Sequence, residues 1–113
     1  MHEVGLITET IDLATSLAKE QGAAKIHRLV LRVGAYSGVD AEALRLAFDA
    51  ASPGTAAEHA QLVIDEVAAR CWCAVCEAEF VPESPIFACP TCGNVSRELR
   101  QGGELELATL EVS

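Results

Sequence analysis

Residues 71–94 read CWCAVCEAEFVPESPIFACPTCGN and hold all five cysteines of the chain. Four of these cysteines form two Cys-x-x-Cys pairs, Cys73 with Cys76 and Cys89 with Cys92. Two intervening residues allow both sulfurs of a pair to face one ion, and four thiolates fill the tetrahedral shell of a structural zinc site. The spacing therefore predicts a four-cysteine zinc centre in a small, loop-rich lobe that gains its stability from the ion.

Other chemistries stay open for these cysteines. The CPTCG segment also resembles a rubredoxin-like iron site, and a thiol–disulfide couple or a nucleic-acid-binding ribbon uses similar pairs. A redox pair usually stands alone, follows a strand and opens a helix, and residues 71–94 contain no basic residue. Cys71 cannot share a filled tetrahedral shell, so we interpret it either as a small buried residue or as a spare ligand.

The sequence outside this insertion predicts an α+β domain. Apolar residues follow a helical period before Gly22, and Leu29, Leu31 and Val33 then alternate with Arg28 and Arg32 as in a strand with one buried face. The elements expected, in chain order, are a helix at 5–21, a strand at 25–33, a helix at 40–51 and strands at 61–69 and 104–112.

The expected architecture is two helices on a small three-stranded sheet, with a four-cysteine zinc-ribbon lobe inserted before the last strand. The domain boundaries that follow are 1–69 plus 101–113 for the α+β domain and 70–100 for the cysteine-rich domain. Ser37 with Asp40 resembles an N-terminal capping pair for the second helix.

The charge balance restricts the partners. Among 113 residues, 17 acids stand against 8 bases, which gives a formal net charge of −9. This field repels nucleic acid and anionic membrane surfaces and attracts metal cations or basic protein patches, although an acidic excess also simply keeps a small protein in solution. No signal-like or membrane-spanning segment is evident, so we expect the cytoplasm, where paired cysteines bind metal rather than form disulfides.

The familiar catalytic motifs are absent from the sequence. It contains neither G-x-x-x-x-G-K-[ST] nor G-x-G-x-x-G. Serine, histidine and acidic residues are too scattered for a nucleophilic triad, and we interpret His27 and His59 as structural or surface histidines. The sequence therefore predicts a protein that is not an enzyme.

The first three residues, Met-His-Glu, form a second candidate metal site. The terminal amine, the amide nitrogen of residue 2 and the imidazole Nδ1 of His2 can chelate one ion, and such nitrogen-rich planar sites suit Ni(II) or Cu(II) better than Zn(II). Glu3 and Asp40 are further candidate donors. By itself, however, a histidine at position 2 is usually accidental.

The combination of MHE, LRVGAYSGVDAEALRLAF, VAARCWCAVC and CPTCG, in this order and over essentially the whole chain, closely resembles the HypA/HybF family. The resemblance implies a nickel metallochaperone for [NiFe]-hydrogenase maturation. Carried over residue by residue, it assigns nickel to His2, with the Met1 amine, and zinc to Cys73, Cys76, Cys89 and Cys92. The nickel-binding domain is then 1–69 plus 101–113, and the zinc-binding domain is 70–100.

The same resemblance implies two partners, the nickel-handling GTPase HypB and the hydrogenase large-subunit precursor that receives the metal. Some members also serve urease, and a homodimer is compatible with the sequence. Two functions of other classes compete with this interpretation. One is a zinc-ribbon adaptor whose N-terminus is incidental, and the other is an electron carrier with iron in the four-cysteine site.

Overall fold

The computed structural model describes residues 2–113, and the side chains of residues 3–113. The Met1 amine and the His2 side chain, to which nickel is assigned above, therefore lie outside the described residues. The elements, in chain order, are α1 (His2–Glu20), β1 (Ile26–Gly34), α2 (Ala41–Ala51), β2 (Gln61–Val67), β3 (Arg70–Cys73), β4 (Ala78–Phe80), β5 (Glu98–Gln101) and β6 (Leu105–Val112).

The predicted α+β fold is confirmed. Two helices accompany a three-stranded sheet of order β2-β1-β6. A second three-stranded sheet, of order β4-β3-β5, has Cys71 and Cys73 in its central strand. Helix α1 begins at His2 rather than near Gly5. The apolar period does not reveal this first turn, because Val4 is exposed there, while Glu3 favours the turn through the helix dipole.

The strand alternation in β1 is confirmed as well. Leu29, Leu31 and Val33 are buried, whereas Arg28 and Arg32 form ion pairs at the surface. The apolar stripes of both helices, which contact each other, are buried as well, namely Ile7, Ile11, Ala14 and Ala18 of α1 and Leu44, Ala47 and Phe48 of α2. An apolar core of this kind stabilises its unit without a metal ion.

The start of α2 corrects the predicted capping pair. Asp40 itself is the N-cap, and its side chain accepts hydrogen bonds from the backbone N–H groups of Glu42 and Ala43. Ser37 lies three residues before the cap and does not occupy that position. A carboxylate at the N-cap satisfies N–H groups that have no partner within the helix and favours the positive end of its dipole.

The chain divides into two compact units. The first comprises residues 1–32, 39–65 and 106–113, and the second comprises 33–38 and 66–105. The second unit is therefore more extensive than the predicted segment 70–100, because it includes the end of β1 and the turn after it. The assignment of nickel to one domain and zinc to the other stays a prediction.

The backbone of the second unit is closely packed at Gly34. The N–H of Gly34 donates to Glu104 O, and the N–H of Tyr36 donates to Gly102 O, each at 2.7 Å. A Cβ atom on Gly34 would lie 2.1 Å from both the carbonyl carbon and the oxygen of Gly102. The Tyr36 ring, two residues further on, packs edge-to-face on Phe87 with centroids 5.1 Å apart. Glycine at position 34 therefore allows residues 33–38 to join this unit.

We expect Gly34→Ala to lower the free energy of unfolding by at least about 1–3 kcal/mol, the usual cost of overpacking, because the new methyl group meets rigid backbone. Gly5→Ala is the matched control, since a Cβ there meets no atom within 4 Å and alanine favours a helix by about 1 kcal/mol over glycine. Urea denaturation of both variants measures the difference. Equal stability of the two variants would contradict this packing.

Candidate metal centre

The structure brings four of the five cysteine sulfurs together. The Sγ atoms of Cys73, Cys76, Cys89 and Cys92 all lie within 4.8 Å of one another. Cys73 Sγ is 3.5 Å from Cys92 Sγ, and Cys76 Sγ is 4.0 Å from Cys89 Sγ. Each of these two contacts joins a sulfur of one Cys-x-x-Cys pair to a sulfur of the other, so the two pairs form a single cluster.

The first pair sits in the turn between β3 and β4. Strand β3 ends at Cys73, and the backbone N–H of Cys76 donates to Cys73 Sγ at 3.4 Å. Glu77 follows with a φ of 51°, in the left-handed region, and β4 begins at the next residue. The left-handed residue reverses the chain directly after the second cysteine, which keeps both sulfurs on the inside of the turn.

The second pair repeats this geometry in a loop. Gly93 N–H donates to Cys89 O at 2.8 Å, and Cys89 N–H donates to Asn94 O at 2.8 Å. Asn94 N–H donates to Cys92 Sγ at 3.5 Å. Gly93 has a φ of 78°, so it supplies the backbone freedom that the sequence predicts there. In both turns an amide hydrogen faces a sulfur, which favours the thiolate form.

The cluster fits one tetrahedral ion. Four sulfurs at the zinc–thiolate distance of about 2.3 Å from a central ion are separated by roughly 3.8 Å, and the two cross-pair separations of 3.5 and 4.0 Å lie on either side of that value. Four thiolates are a soft donor set that selects Zn(II) or iron over Mg(II) or Ca(II). A closed shell of four protein ligands also has no position for a substrate.

The thiols of Cys89 and Cys76 differ in pKa. A hydrogen bond from the backbone N–H of Cys92 lowers the pKa of the Cys89 thiol to about 6, whereas hydrogen bonding to the Cys92 side chain raises the pKa of the Cys76 thiol to about 12. At neutral pH Cys89 is therefore mainly a thiolate, and an incoming metal must displace the proton of Cys76. Metal binding releases protons and weakens as the pH falls.

Burial differs within each pair. Cys73 and Cys89 are buried, and they pack in a small cluster with Cys71 and Phe80, while Cys76 and Cys92 are exposed. Ser96, which is also buried, donates its hydroxyl to Trp72 O at 2.6 Å and so joins the segment after the second pair to β3. No sequence pattern predicts this role for Ser96, because a buried serine in a loop has no distinctive spacing.

Cys71 takes no part in the four-sulfur cluster. It lies in β3 opposite Phe80 of β4 and is fully buried. Burial raises the pKa of the Cys71 thiol, which keeps it protonated and inert. Of the two interpretations of this residue, the structure supports the small buried side chain.

The remaining candidate donors lie in the first unit. Glu3 Oε2 accepts a hydrogen bond from the backbone N–H of Asp40 at 3.4 Å, so the two acidic residues are neighbours. His27 Nε2 contacts the Ser113 hydroxyl. The His59 side chain is 90% exposed, and its Nε2 atom lies 3.8 Å from Glu58 Oε1. The structure thus brings Glu3 and Asp40 together, and it places neither His27 nor His59 in a cluster of metal donors within residues 3–113.

Within the described part of the chain, neither helix combines the length and apolarity that a membrane span requires.

These features define a small α+β metal-binding protein with a four-sulfur centre. The family model described as hydrogenase/urease nickel incorporation, metallochaperone, HypA matches residues 1–112, and the chain belongs to this HypA family. The chain is 46% identical over 112 residues to hydrogenase maturation factor HypA of Picosynechococcus sp., covering 99% of each chain. It is 38% identical to the protein of the same name in Chloroflexus aggregans, covering 98% of each.

The fold agrees with solved structures. The solution structure of the Ni metallochaperone HypA from Helicobacter pylori superimposes with a TM-score of 0.70 at 27% identity, covering 97% of this chain and 96% of that one. A second HypA solution structure gives a TM-score of 0.74 at 28% identity and covers 100% of this chain and 97% of the other. The predicted family resemblance is confirmed.

We expect Cys92→Ser to reduce bound zinc from one equivalent per chain to near zero, because three thiolates leave the shell incomplete, and to collapse the dispersed amide NMR signals of residues 66–105. Signals from α1 and α2 should persist. Cys71→Ser is the matched control and should keep one equivalent. Elemental analysis after gel filtration measures both. Full zinc retention by Cys92→Ser, or its loss from Cys71→Ser, would overturn the proposed ligand set.

Proposed function

We propose that the protein carries Ni(II) to the precursor of a [NiFe]-hydrogenase large subunit and performs no catalytic reaction itself. The observation that carries this proposal is the nearly full-length match to a nickel-incorporation metallochaperone family. The four-sulfur cluster complements it, because its thiolates form a closed shell suited to a permanent ion. The cargo then needs a different, more open site.

Zinc is the ion we assign to Cys73, Cys76, Cys89 and Cys92, and its role is structural. When bound, it holds the two turns together. The residues around it prepare the site, since N–H groups of Cys76 and Asn94 already face sulfur atoms. Tetrathiolate coordination releases its ion slowly and offers no vacant position. A site of this kind stabilises the second unit and is unsuited to handing over cargo.

Nickel is assigned to the start of α1. The donors are the Met1 amine, the backbone nitrogen of His2 and its imidazole, with Glu3 and Asp40 as sources of carboxylate oxygen. The contact between Glu3 and the Asp40 backbone supports including these two, because it joins the first turn of α1 to the start of α2. An amide nitrogen in the first turn of a helix has no acceptor within the helix. It can therefore lose its proton to solvent and bind Ni(II) without breaking a helical hydrogen bond.

The electrostatics of this position favour reversible binding. The positive end of the α1 dipole opposes a cation, and the carboxylates of Glu3 and Asp40 offset that repulsion. Asp40 Oδ1 is already engaged by the N–H groups of Glu42 and Ala43, so this residue has only part of its capacity left for a metal. A site with few strong ligands at a chain end can exchange them stepwise with an acceptor, and protonation of the imidazole promotes release.

The partners follow from the same proposal. A separate GTPase, HypB, supplies or controls the nickel, in keeping with the lack of a P-loop sequence in this chain. The hydrogenase precursor receives it in the cytoplasm, and urease is a second client class because the family description includes it. The formal charge of −9 makes nucleic acid an unfavourable partner.

The N-terminal site requires a free amine, so we expect a Gly-Ser leader before Met1 to weaken nickel binding by at least tenfold although His2 is still present. His2→Ala should abolish tight binding. Zinc content and the unfolding midpoint should stay near wild type in both, since chain ends contribute little to stability. Isothermal titration with Ni(II) on zinc-loaded protein measures the effect.

His59→Asn is the matched control, because His59 is exposed and has a φ of 68° that asparagine tolerates. This variant should bind nickel like the wild type. If the protein with the leader matches the native protein in both stoichiometry and affinity, nickel does not bind through the terminal amine.

A further inference from the structure

The first unit contains a cleft at the C-terminal end of α1, with a volume of about 450 Å³. This volume is within the range of ligand-binding sites in proteins, roughly 300–1,000 Å³. Its walls are formed by the last turns of α1, by residues 23–25 and by the loop after α2. The alanines in its lining have short side chains that leave the cleft open. Its polar lining residues are Thr15, Lys19, Lys25, Thr55, Glu58 and His59.

The cleft contains the unpaired cations of this unit. Five of the six arginines of the chain form ion pairs with acidic side chains, namely Arg28, Arg32, Arg45, Arg70 and Arg100. The only two lysines in the sequence are Lys19 and Lys25. Neither forms an ion pair with any residue in 3–113, and both line the cleft. With Glu58 as the acidic residue of the same lining, the cleft carries a formal charge of +1 in a chain of net charge −9.

The wall opposite α1 is held in place by its own hydrogen bonds. Gly54 N–H donates to Glu58 Oε2 at 2.6 Å, and the Thr55 hydroxyl donates to Ser52 O at 2.6 Å. The N–H of Ile26 donates to Ala56 O at 2.9 Å, which fixes the loop to the start of β1. A cleft with fixed walls needs little ordering when a ligand binds.

The chemistry of the lining selects the ligand. Among the described residues that line the cleft, none carries a phenyl, phenol or indole ring, so a nucleotide base would have no stacking surface. The C-terminal end of α1 disfavours any anion through the helix dipole, so the attraction must come from the Lys19 and Lys25 ammonium groups. A phosphate would also lack the N–H groups of a helix N-terminus that it usually uses. Two flexible ammonium groups are instead suited to several separate carboxylates.

We propose that this cleft docks an acidic segment of a partner protein, with Asp or Glu carboxylates paired to Lys19 and Lys25. Glu58 is also in the lining and repels an anion, but Gly54 already binds its Oε2 atom. The segment therefore lies on the lysine side of the cleft. The alanines leave room for a backbone to approach closely.

This placement keeps docking away from the start of α1. Lys19 and His2 lie near opposite ends of the 19-residue helix α1, which is about 28 Å long at 1.5 Å per residue. A partner anchored at the lysines therefore needs no contact with the start of α1. The inference does not require nickel binding, so its failure and that of the nickel proposal are separate.

A competing explanation for Lys19 is stabilisation of α1, because a cation in the last turn favours the helix dipole. That role predicts a lower unfolding midpoint when the lysine charge is removed, with no effect on ligand binding. Lys25 lies after the helix, so the dipole does not explain why both lysines face the same cleft.

The test uses zinc-loaded, nickel-free protein without a tag and a blocked hexaglutamate peptide as the probe, with NMR titration of the backbone amides at low salt. We expect saturable shifts confined to residues around 15–25 and 54–59, and no shifts with hexaglutamine. Lys19→Gln/Lys25→Gln should weaken binding at least tenfold. Arg28→Gln/Arg45→Gln, which removes the same charge from surface ion pairs of the same unit, should stay within twofold of wild type.

Three results would overturn the proposal. One is an equal loss of affinity for hexaglutamate in both double variants, because that result indicates non-specific electrostatic attraction to the surface. Another is a set of shifts that maps outside the cleft. The last is binding of inorganic phosphate at the cleft without binding of hexaglutamate, which assigns the lysines to a phosphate ligand instead.

Discussion

The second unit depends on the convergence of four sulfur atoms. The buried cluster beside the sulfurs is small, with Cys71, Cys73, Cys89 and Phe80 at its centre and Phe87 and Leu99 packed against it. The unit also buries Val33, Val67 and Ala69. Burial of so few side chains does not offset the conformational entropy of the 46 residues of this unit. A metal ion bound by the four thiolates supplies the missing stabilisation, since the free energy of binding is also free energy of folding. The paired left-handed turns at Glu77 and Gly93 position the sulfurs for that ion.

The first unit, in contrast, is stabilised by an apolar core rather than by a metal ion. Its helices and β1 bury many aliphatic side chains, among them Ile7 of α1, Leu29 and Leu31 of β1 and Leu44 of α2. Because this core stabilises the unit without a metal, the proposed nickel site at the start of α1 can bind and release its ion without unfolding the unit. The proposed division between a structural and a transported metal agrees with how each unit is stabilised.

Much of the fold and the four-sulfur cluster can be predicted from the sequence. Periodicity located both helices and the strands of the first sheet, and Cys-x-x-Cys spacing identified the four sulfurs that the structure brings within 4.8 Å. The strands β3, β4 and β5 were missed because each is only three or four residues long and shows no sustained alternation. The left-handed Glu77 and the Asp40 cap depend on local backbone geometry, which residue types indicate weakly. The cleft beside Lys19 and Lys25 forms from segments distant in sequence, so no local pattern predicts it.

We propose that one chain holds two metals in chemically different sites. X-ray absorption at the zinc and nickel edges, on untagged protein loaded with one equivalent of each ion, distinguishes these sites by their ligands. We expect four sulfurs around zinc at about 2.3 Å and only nitrogen and oxygen donors around nickel. Sulfur in the nickel shell, or fewer than four sulfurs around zinc, would contradict it.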